Sequence, residues 1–313
     1  MKHLFIVNPA AGKKTDTGAL SERIRAAAEA RGEPYEIYIT AGPMDACSRV
    51  RVEAETGAEL RVYACGGDGT LNECVNGAAG FSNAAVTHYP TGTGNDFVRM
   101  FGEKDSALFS DLAALMDGTV LPLDLIDCNG RYSVNICSVG IDARIGTQVH
   151  EYSSKPLVPD GAAYVVSLIV NVFRGITQHL RITTPDGTEE GEYTLVCVCN
   201  GRFYGGGFNP VPDAMPNDGL LDCLIAKGVS VLGFASMVGR YSKGRYAEMP
   251  AVMTCRRGTE FTVECAEPLD INIDGELMHG STVTFRVCPG AVNFIFPKGS
   301  EFPASSVSNT QNS

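Results

Sequence analysis

The stretch Ala64-Cys65-Gly66-Gly67-Asp68-Gly69-Thr70-Leu71-Asn72-Glu73 decides how the chain is read. Residues 60–65 are apolar apart from Arg61 and read as a mostly buried strand. Three glycines in the four residues 66–69 then break the strand, and glycine both reaches φ > 0 and lets a ligand approach the backbone. The spacing predicts a helix beyond the break, with Thr70 as its N-cap and Glu73 completing a capping box. A helix N-terminus behind a glycine turn offers N–H groups and the positive end of the helix dipole, which suits a phosphate. Asp68 is the odd member, because a carboxylate repels phosphate unless a cation sits between them. The loop therefore predicts a nucleotide with Mg²⁺. A plain strand–turn–helix corner, its glycines kept for packing, is the competing reading.

The same unit recurs on either side. Residues 3–7 form an apolar strand that runs into the small-residue turn Asn8-Pro9-Ala10-Ala11-Gly12. An Ala/Glu/Arg-rich helix follows at 19–30, a strand at 35–40, and a helix opened by Pro43. A strand at 84–89 leads into Pro90-Thr91-Gly92-Thr93-Gly94-Asn95-Asp96, then a helix at 97–101 and an amphipathic helix at 105–116. Strand–turn–helix repeated in this way predicts a parallel sheet with helices on both faces, a Rossmann-like α/β domain over residues 1–124. Ligands of such sheets bind outside the carboxyl ends of the strands. The turns after Val7, Cys65 and Tyr89 all fall there and all have the composition for close approach to phosphate.

From residue 121 the texture changes to short alternating runs: 121–126, 132–138, 180–184, 193–200, 220–225, 260–265, 269–274, 282–287 and 292–296. Helical patterns intrude at 162–173 and 231–241. Closely spaced strands predict a C-terminal antiparallel β-sandwich domain, placed at 125–298. Residues 299–313 form a polar tail, either disordered or packed back on the first domain.

Composition excludes several classes. A charge of −11 and a pI near 5.0 argue against a nucleic-acid partner. No run approaches the roughly eighteen apolar residues of a spanning helix, and the apolar start at 1–7 is too short for a signal peptide. The eleven cysteines contain no C-x-x-C pair, so zinc is disfavoured and reduced, buried thiols in a cytoplasmic protein are the simplest account.

Asn8-Pro9-Ala10-Ala11-Gly12, the Gly66–Glu73 loop, Pro90-Thr91-Gly92-Thr93-Gly94-Asn95-Asp96-Phe97, Asn217-Asp218-Gly219-Leu220-Leu221-Asp222 and Asp274-Gly275-Glu276 together resemble the diacylglycerol kinase catalytic-domain family. Within it the chain looks like the bacterial diacylglycerol/sphingosine-type lipid kinases, over 3–298 and with the motifs in order. Thr91 departs from the family's apolar or small residue at a turn position. The resemblance implies an NAD kinase/diacylglycerol kinase-like α/β domain plus a β-sandwich. It implies Mg²⁺-dependent transfer of the ATP γ-phosphoryl group to a lipid hydroxyl such as that of diacylglycerol, met at a membrane surface. It places the nucleotide against Asn8, Pro9, Ala10, Ala11, Gly12, Gly66, Gly67, Asp68, Gly69, Thr70, Leu71 and Asn72, with hydroxyls from Thr40 and Thr93. Asp68 would hold the catalytic Mg²⁺ and Glu276 would be the general base. A second, structural Mg²⁺ would fall on Asp218 with backbone oxygens of Met215 and Leu220.

Each of these has a blander counterpart. Asp274-Gly275 is a good hairpin turn that would leave Glu276 simply exposed. Asn217-Asp218-Gly219 reads equally as a turn between strands. Lys13 and Lys14 read as solvated lysines beside a loop, and Tyr204–Phe208 as a plain loop rather than the rim of a lipid cleft. Arg240, Lys243, Arg245, Arg256 and Arg257 form a local basic cluster that either faces anionic headgroups at the inner face of a membrane or is a solvated face. An NAD kinase and a non-catalytic nucleotide-binding regulator of the same fold are the alternative functions, and a homodimer stays open. The lipid itself is not specified by the residues.

Overall fold

The structure is a computed structural model and describes residues 1–12, 16–140 and 176–302. The helix expected at 162–173, Lys13 and Lys14, and the tail beyond 302 lie outside the described residues. The chain divides into two compact units: Met1–Leu125 with Pro289–Ser313, and Ile126–Cys288.

The first unit contains β1 (Lys2–Val7), β2 (Tyr35–Ile39), β3 (Leu60–Gly66), β4 (Ala84–Pro90) and the end of the last strand in chain order, β13 (Glu276–Phe296). Their order is β2-β1-β3-β4-β13, and every neighbouring pair in this set is parallel. Leu4 to Val7 and Val62 to Cys65 are fully buried, the unbroken apolar runs of strands covered on both faces. The helices supply the cover by their spacing. Leu20, Ile24 and Ala28 are the buried residues of α1 (Thr17–Glu29), one turn apart. Asp16 caps that helix by accepting from the Ala19 N–H at 3.0 Å. The helix α2 (Asp45–Ala54) buries Ala46, Cys47, Val50 and Ala54, while α3 (Asp68–Ala78) buries Leu71, Cys74, Val75 and Ala78. Pro43 precedes the start of α2; Met44 sits at φ 64 and the helix begins at Asp45. No helix among the described residues is long and apolar enough to cross a membrane.

Three further helices follow β4: α4 (Asp96–Arg99), α5 (Gly102–Leu108) and α6 (Leu112–Met116). The single amphipathic helix expected at 105–116 is therefore two. Asp111 divides them, because its backbone is extended and its carboxylate accepts from the Ala113 and Ala114 N–H groups as the cap of α6.

The expected span of 125–298 for the second domain is corrected at its far end, since the chain rejoins the first unit at Pro289. Two features explain the return. Phe294 and Phe296 on β13 enter an aromatic cluster with Phe97, Phe101 and Phe302; the Phe97–Phe294 and Phe101–Phe296 centroids both lie 5.4 Å apart. Buried Asp105 then accepts from the Ser300 hydroxyl and the Glu301 and Phe302 N–H groups, so 300–302 pack back on this unit.

The second unit holds the end of β5 (Thr119–Cys128), β6 (Arg131–Ser133), β7 (Ile136–Gly140), β8 (Gln178–Thr184), β9 (Gly187–Cys199), β10 (Leu221–Lys227), β11 (Met253–Gly258), β12 (Glu260–Ile273) and the start of β13. The order is β11-β10-β9-β7-β12-β13, antiparallel throughout, with β8 against both β9 and β12. Along β9 the two faces alternate: Val196 and Val198 join one buried cluster, Leu195, Cys197 and Cys199 the other. The helix α7 (Val231–Tyr241) covers that second face with Phe234, Met237 and Tyr241. The runs at 260–265 and 269–274 are one strand whose register shifts between Glu264 and Leu269, where Pro268 cannot donate to a ladder. The strand β11 was not anticipated, because Arg256 and Arg257 mask its alternation. All eleven cysteines are free and eight are buried.

Gly77 lies where α3 meets α2, and a Cβ there would stand 2.6 Å from the Cys47 carbonyl oxygen and 2.8 Å from Val50 Cβ. Helix propensity alone favours alanine by about 1 kcal/mol. Overpacking costs about 1–3 kcal/mol. Gly77→Ala is expected to lower the urea-unfolding free energy; a gain in stability would show that the two helices do not meet this closely.

Candidate active site

Register builds the site in the first unit. Val7 pairs with Cys65 and with Ile39, Cys65 with Tyr89, and Gly66 with Pro90, so four strands end at one level. The residues after them are Asn8, Thr40, Gly66-Gly67-Asp68 and Thr91-Gly92, at one edge of the sheet.

The turns are tied to one another. The Gly66 carbonyl oxygen accepts from the Thr91 N–H at 2.9 Å, the Gly92 N–H at 3.2 Å and His88 Nε2–H at 3.0 Å. Asn8 donates from Nδ2 to Thr70 Oγ1 at 3.0 Å, and its Oδ1 accepts from the Ala10 N–H. Thr40 donates its backbone N–H to the Val7 carbonyl at 3.0 Å. Asn95, at φ 50, closes the third turn by accepting from the Gly92 N–H and donating to the Gly92 carbonyl. Thr93 stands exposed at its tip.

The glycines here serve proximity. A Cβ on Gly92 would collide with Gly67 Cα, and one on Gly66 with the Thr70 side chain. Gly12 is the glycine of these turns at positive φ; Gly66, Gly67, Gly69, Gly92 and Gly94 are not. The expected capping box does not form. The cap of α3 is Gly67, Thr70 is buried inside the first turn, and Glu73 instead accepts from the Ala46 N–H of α2 at 3.1 Å. Leu71 is fully buried and Asn72 nearly so, and both support α3 from within instead of lining a surface.

Asp68 opens α3 and reaches the third turn. Its Oδ2 accepts from the Asp96 N–H at 3.0 Å and its Oδ1 from the Phe97 N–H at 3.2 Å, at the start of α4. Each oxygen keeps a second lone pair, so a single carboxylate with this orientation fits a hard cation shared with phosphate oxygens. His88, which sequence reasoning missed, is fully buried behind this loop. Its only signal was a histidine inside an apolar strand.

In the second unit Glu276 is the first residue of β13, exposed, and paired with Ile273 across the two-residue turn Asp274-Gly275 at φ 51 and φ 97. That turn is anchored rather than loose. Asp274 accepts from the Ser133 hydroxyl at 2.6 Å and the Val134 and Ile136 N–H groups at 2.8 and 2.9 Å. The Gly275 N–H donates to Asn272 Oδ1 at 2.8 Å.

The expected second metal site does not fit the residues present. Asp218 Oδ1 accepts from the Leu220 N–H at 3.0 Å, and its other oxygen meets the Arg257 guanidinium. Burial pushes the Asp218 carboxyl pKa up, and Arg257 works against that shift. Met215 receives the Arg202 guanidinium on its sulfur, 2.8 Å away. No three His, Cys, Asp or Glu side chains among the described residues gather as a metal-ligand set. The basic cluster is largely neutralised as well: Arg240 and Arg245 face Glu248, and Arg256 faces Asp186.

Residues 2–128 match the model of the diacylglycerol kinase catalytic domain. Residues 135–296 match that of the YegS C-terminal NAD kinase beta sandwich-like domain. A Pseudomonas aeruginosa protein named probable lipid kinase YegS-like is 34% identical over 290 residues, 90% of this chain and 91% of that protein. A namesake from Pseudomonas fluorescens is 30% identical over 294 residues, 90% and 93% of the two chains. A crystal structure of a diacylglycerol kinase from Bacillus anthracis str. Sterne aligns with a TM-score of 0.67 at 21% identity, over 96% of this chain and 98% of that one.

Burial holds the His88 imidazole below its ordinary pKa, and the Asp68 charge opposes this. The unfolded chain therefore binds the extra proton first, so stability is full above about pH 6.5 and falls as pH drops. His3, held low by the same cause, adds to the fall. In a urea series from about pH 7.5 to about pH 5, His88→Gln should lose stability less steeply than the wild type. Equal slopes would mean that His88 takes up its proton in the folded state.

Proposed function

The chain belongs to the diacylglycerol kinase catalytic-domain family and is a lipid kinase, and we propose that it transfers the γ-phosphoryl group of ATP to the hydroxyl of a lipid such as diacylglycerol. The reading rests on one observation above the others: strand register brings four turns to a single edge, and the loop carboxylate Asp68 lies among them.

Phosphoryl transfer asks little covalent chemistry of a protein and a great deal of positioning. The Asn8–Gly12 turn and the Gly66–Thr70 turn present backbone N–H groups to the phosphates, with hydroxyls from Thr40 and Thr93. Asp68 would hold Mg²⁺, and the ion would supply neutralisation of the charge that develops on the transferred group. Asp68 also keeps the first turn of α4 in place through two backbone N–H groups. Glu276 takes the proton from the lipid hydroxyl. Its support is a hairpin turn whose aspartate is fixed by hydrogen bonds to β7 and to the segment before it, which limits how far the carboxylate wanders. The acceptor would be met at a membrane surface, and no helix among the described residues is long and apolar enough to cross one.

Glu276→Gln keeps the size of the side chain and removes the base. It should leave ATP affinity within about twofold and lower kcat by about 10²–10⁴. Full turnover in that variant would refute the base assignment. A panel of lipid alcohols with radiolabelled ATP, its products identified by mass, tests the class of reaction. Label in an organic-soluble product supports the proposal, and label appearing only in NADP would replace it with an NAD kinase.

A further inference from the structure

The segment 213–222 carries Asp213, Asp218 and Asp222 within ten residues and runs into β10, on which Asp222 lies. Carboxylates drawn together in a partly desolvated place need a cation between them. A metal ion is one source and an arginine is another.

The strand register decides which source this chain uses. Arg257 on β11 lies directly opposite Asp222 on β10. From there its Nε stands 3.7 Å from Asp222 Oδ1, and its terminal nitrogen meets Asp218 Oδ2. One guanidinium thus spans two carboxylates from a position fixed by a β ladder. The other Asp218 oxygen accepts from the Leu220 N–H at 3.0 Å, which holds the carboxylate turned toward Arg257. Arg202 adds a second positive charge on the same turn, its Nε donating to the Ala214 carbonyl at 2.8 Å and its terminal nitrogen lying on Met215. A divalent ion placed on Met215, Asp218 and Leu220 would have two guanidinium groups for neighbours.

We propose that Arg257 is the built-in counter-ion of the 213–222 turn, standing where the family resemblance places a structural Mg²⁺. The turn is then closed by a side chain that no chelator removes, and metal dependence is confined to catalysis. The test of Arg257 itself does not depend on the kinase reading, because its readouts are metal binding and melting in the absence of nucleotide.

The test uses the full chain, free of nucleotide, with Mn²⁺ binding followed by electron paramagnetic resonance. Wild type and Asp218→Asn should bind the same number of Mn²⁺ ions. Arg257→Met should gain a site that Arg257→Met/Asp218→Asn lacks, at least about tenfold tighter than any at that position in the wild type. Its melting temperature should fall in EDTA and recover with Mg²⁺, whereas the wild type should be indifferent to both. A wild-type Mn²⁺ site that Asp218→Asn abolishes would overturn the proposal. So would an Arg257→Met protein that folds yet gains no Asp218-dependent ion. If Arg257→Met fails to fold, the comparison of wild type with Asp218→Asn decides by itself.

Discussion

The geometry of the candidate site depends on one carbonyl. Gly66 ends β3, and its oxygen takes three donors: two backbone N–H groups of the third turn and one imidazole. A carbonyl has two lone pairs, so three donors hold it hard and leave it no freedom to swing. Because the donors at 91 and 92 lie on the next strand's exit, this oxygen fixes the distance between the second and third turns. Gly92 can then lie against Gly67, and Asp68 comes within reach of the first turn of α4. An added methyl at that crossing would separate the turns before any ligand arrived.

The same economy of polar groups recurs at three aspartates in or beside the candidate site residues. Asp68, Asp218 and Asp274 each accept backbone N–H groups: from α4, from Leu220, and from the corner before β7. Buried or half-buried acids need such partners, and a turn is the nearest supply. Bonding of this kind does not compete with a catalytic role. It fixes the carboxylate's direction, so the remaining lone pairs are aimed rather than free. Glu276 differs, standing exposed at the head of its strand, and its position is held by the ladder pairing with Ile273 and by the anchored Asp274 and Asn272 of the turn beside it.

The first unit was the more legible half. Apolar runs at 3–7, 60–65 and 84–89 separated by helical spacing admit few arrangements, and the observed neighbours are parallel. What failed there was local. Thr70 and Glu73 have the spacing of a capping box, but the tertiary partner Ala46 outcompetes the local one for Glu73. Asp111 divided a continuous amphipathic pattern because its side chain prefers the cap to the helix interior. The second unit hid more. Its β11 carries Arg256 and Arg257, whose charges are cancelled by residues distant in sequence, so alternation gave no signal. Only pairing reveals that these arginines belong to a strand. The far boundary was hidden for a similar reason: the runs at 282–287 and 292–296 belong to the one strand β13, and its membership changes at Pro289 through contact with Phe97 of the first unit, distant in sequence.

Arginine and magnesium are different solutions to the same electrostatic problem, and the choice has structural consequences. A metal ion must be captured from solution, so the loop it closes is open until capture occurs and depends on concentration. A guanidinium arrives with the fold. At Asp218 and Asp222 it also arrives by register, since β10 and β11 must pair correctly before the charge is in place. Closure of the 213–222 turn is thereby coupled to completion of the sheet edge. The cost is adaptability: planar donors on a fixed strand suit two carboxylates at one spacing, and cannot follow the turn if it moves. Such a turn is therefore fitted to hold a shape, while the hairpin beyond β12 leaves Glu276 exposed at the head of β13.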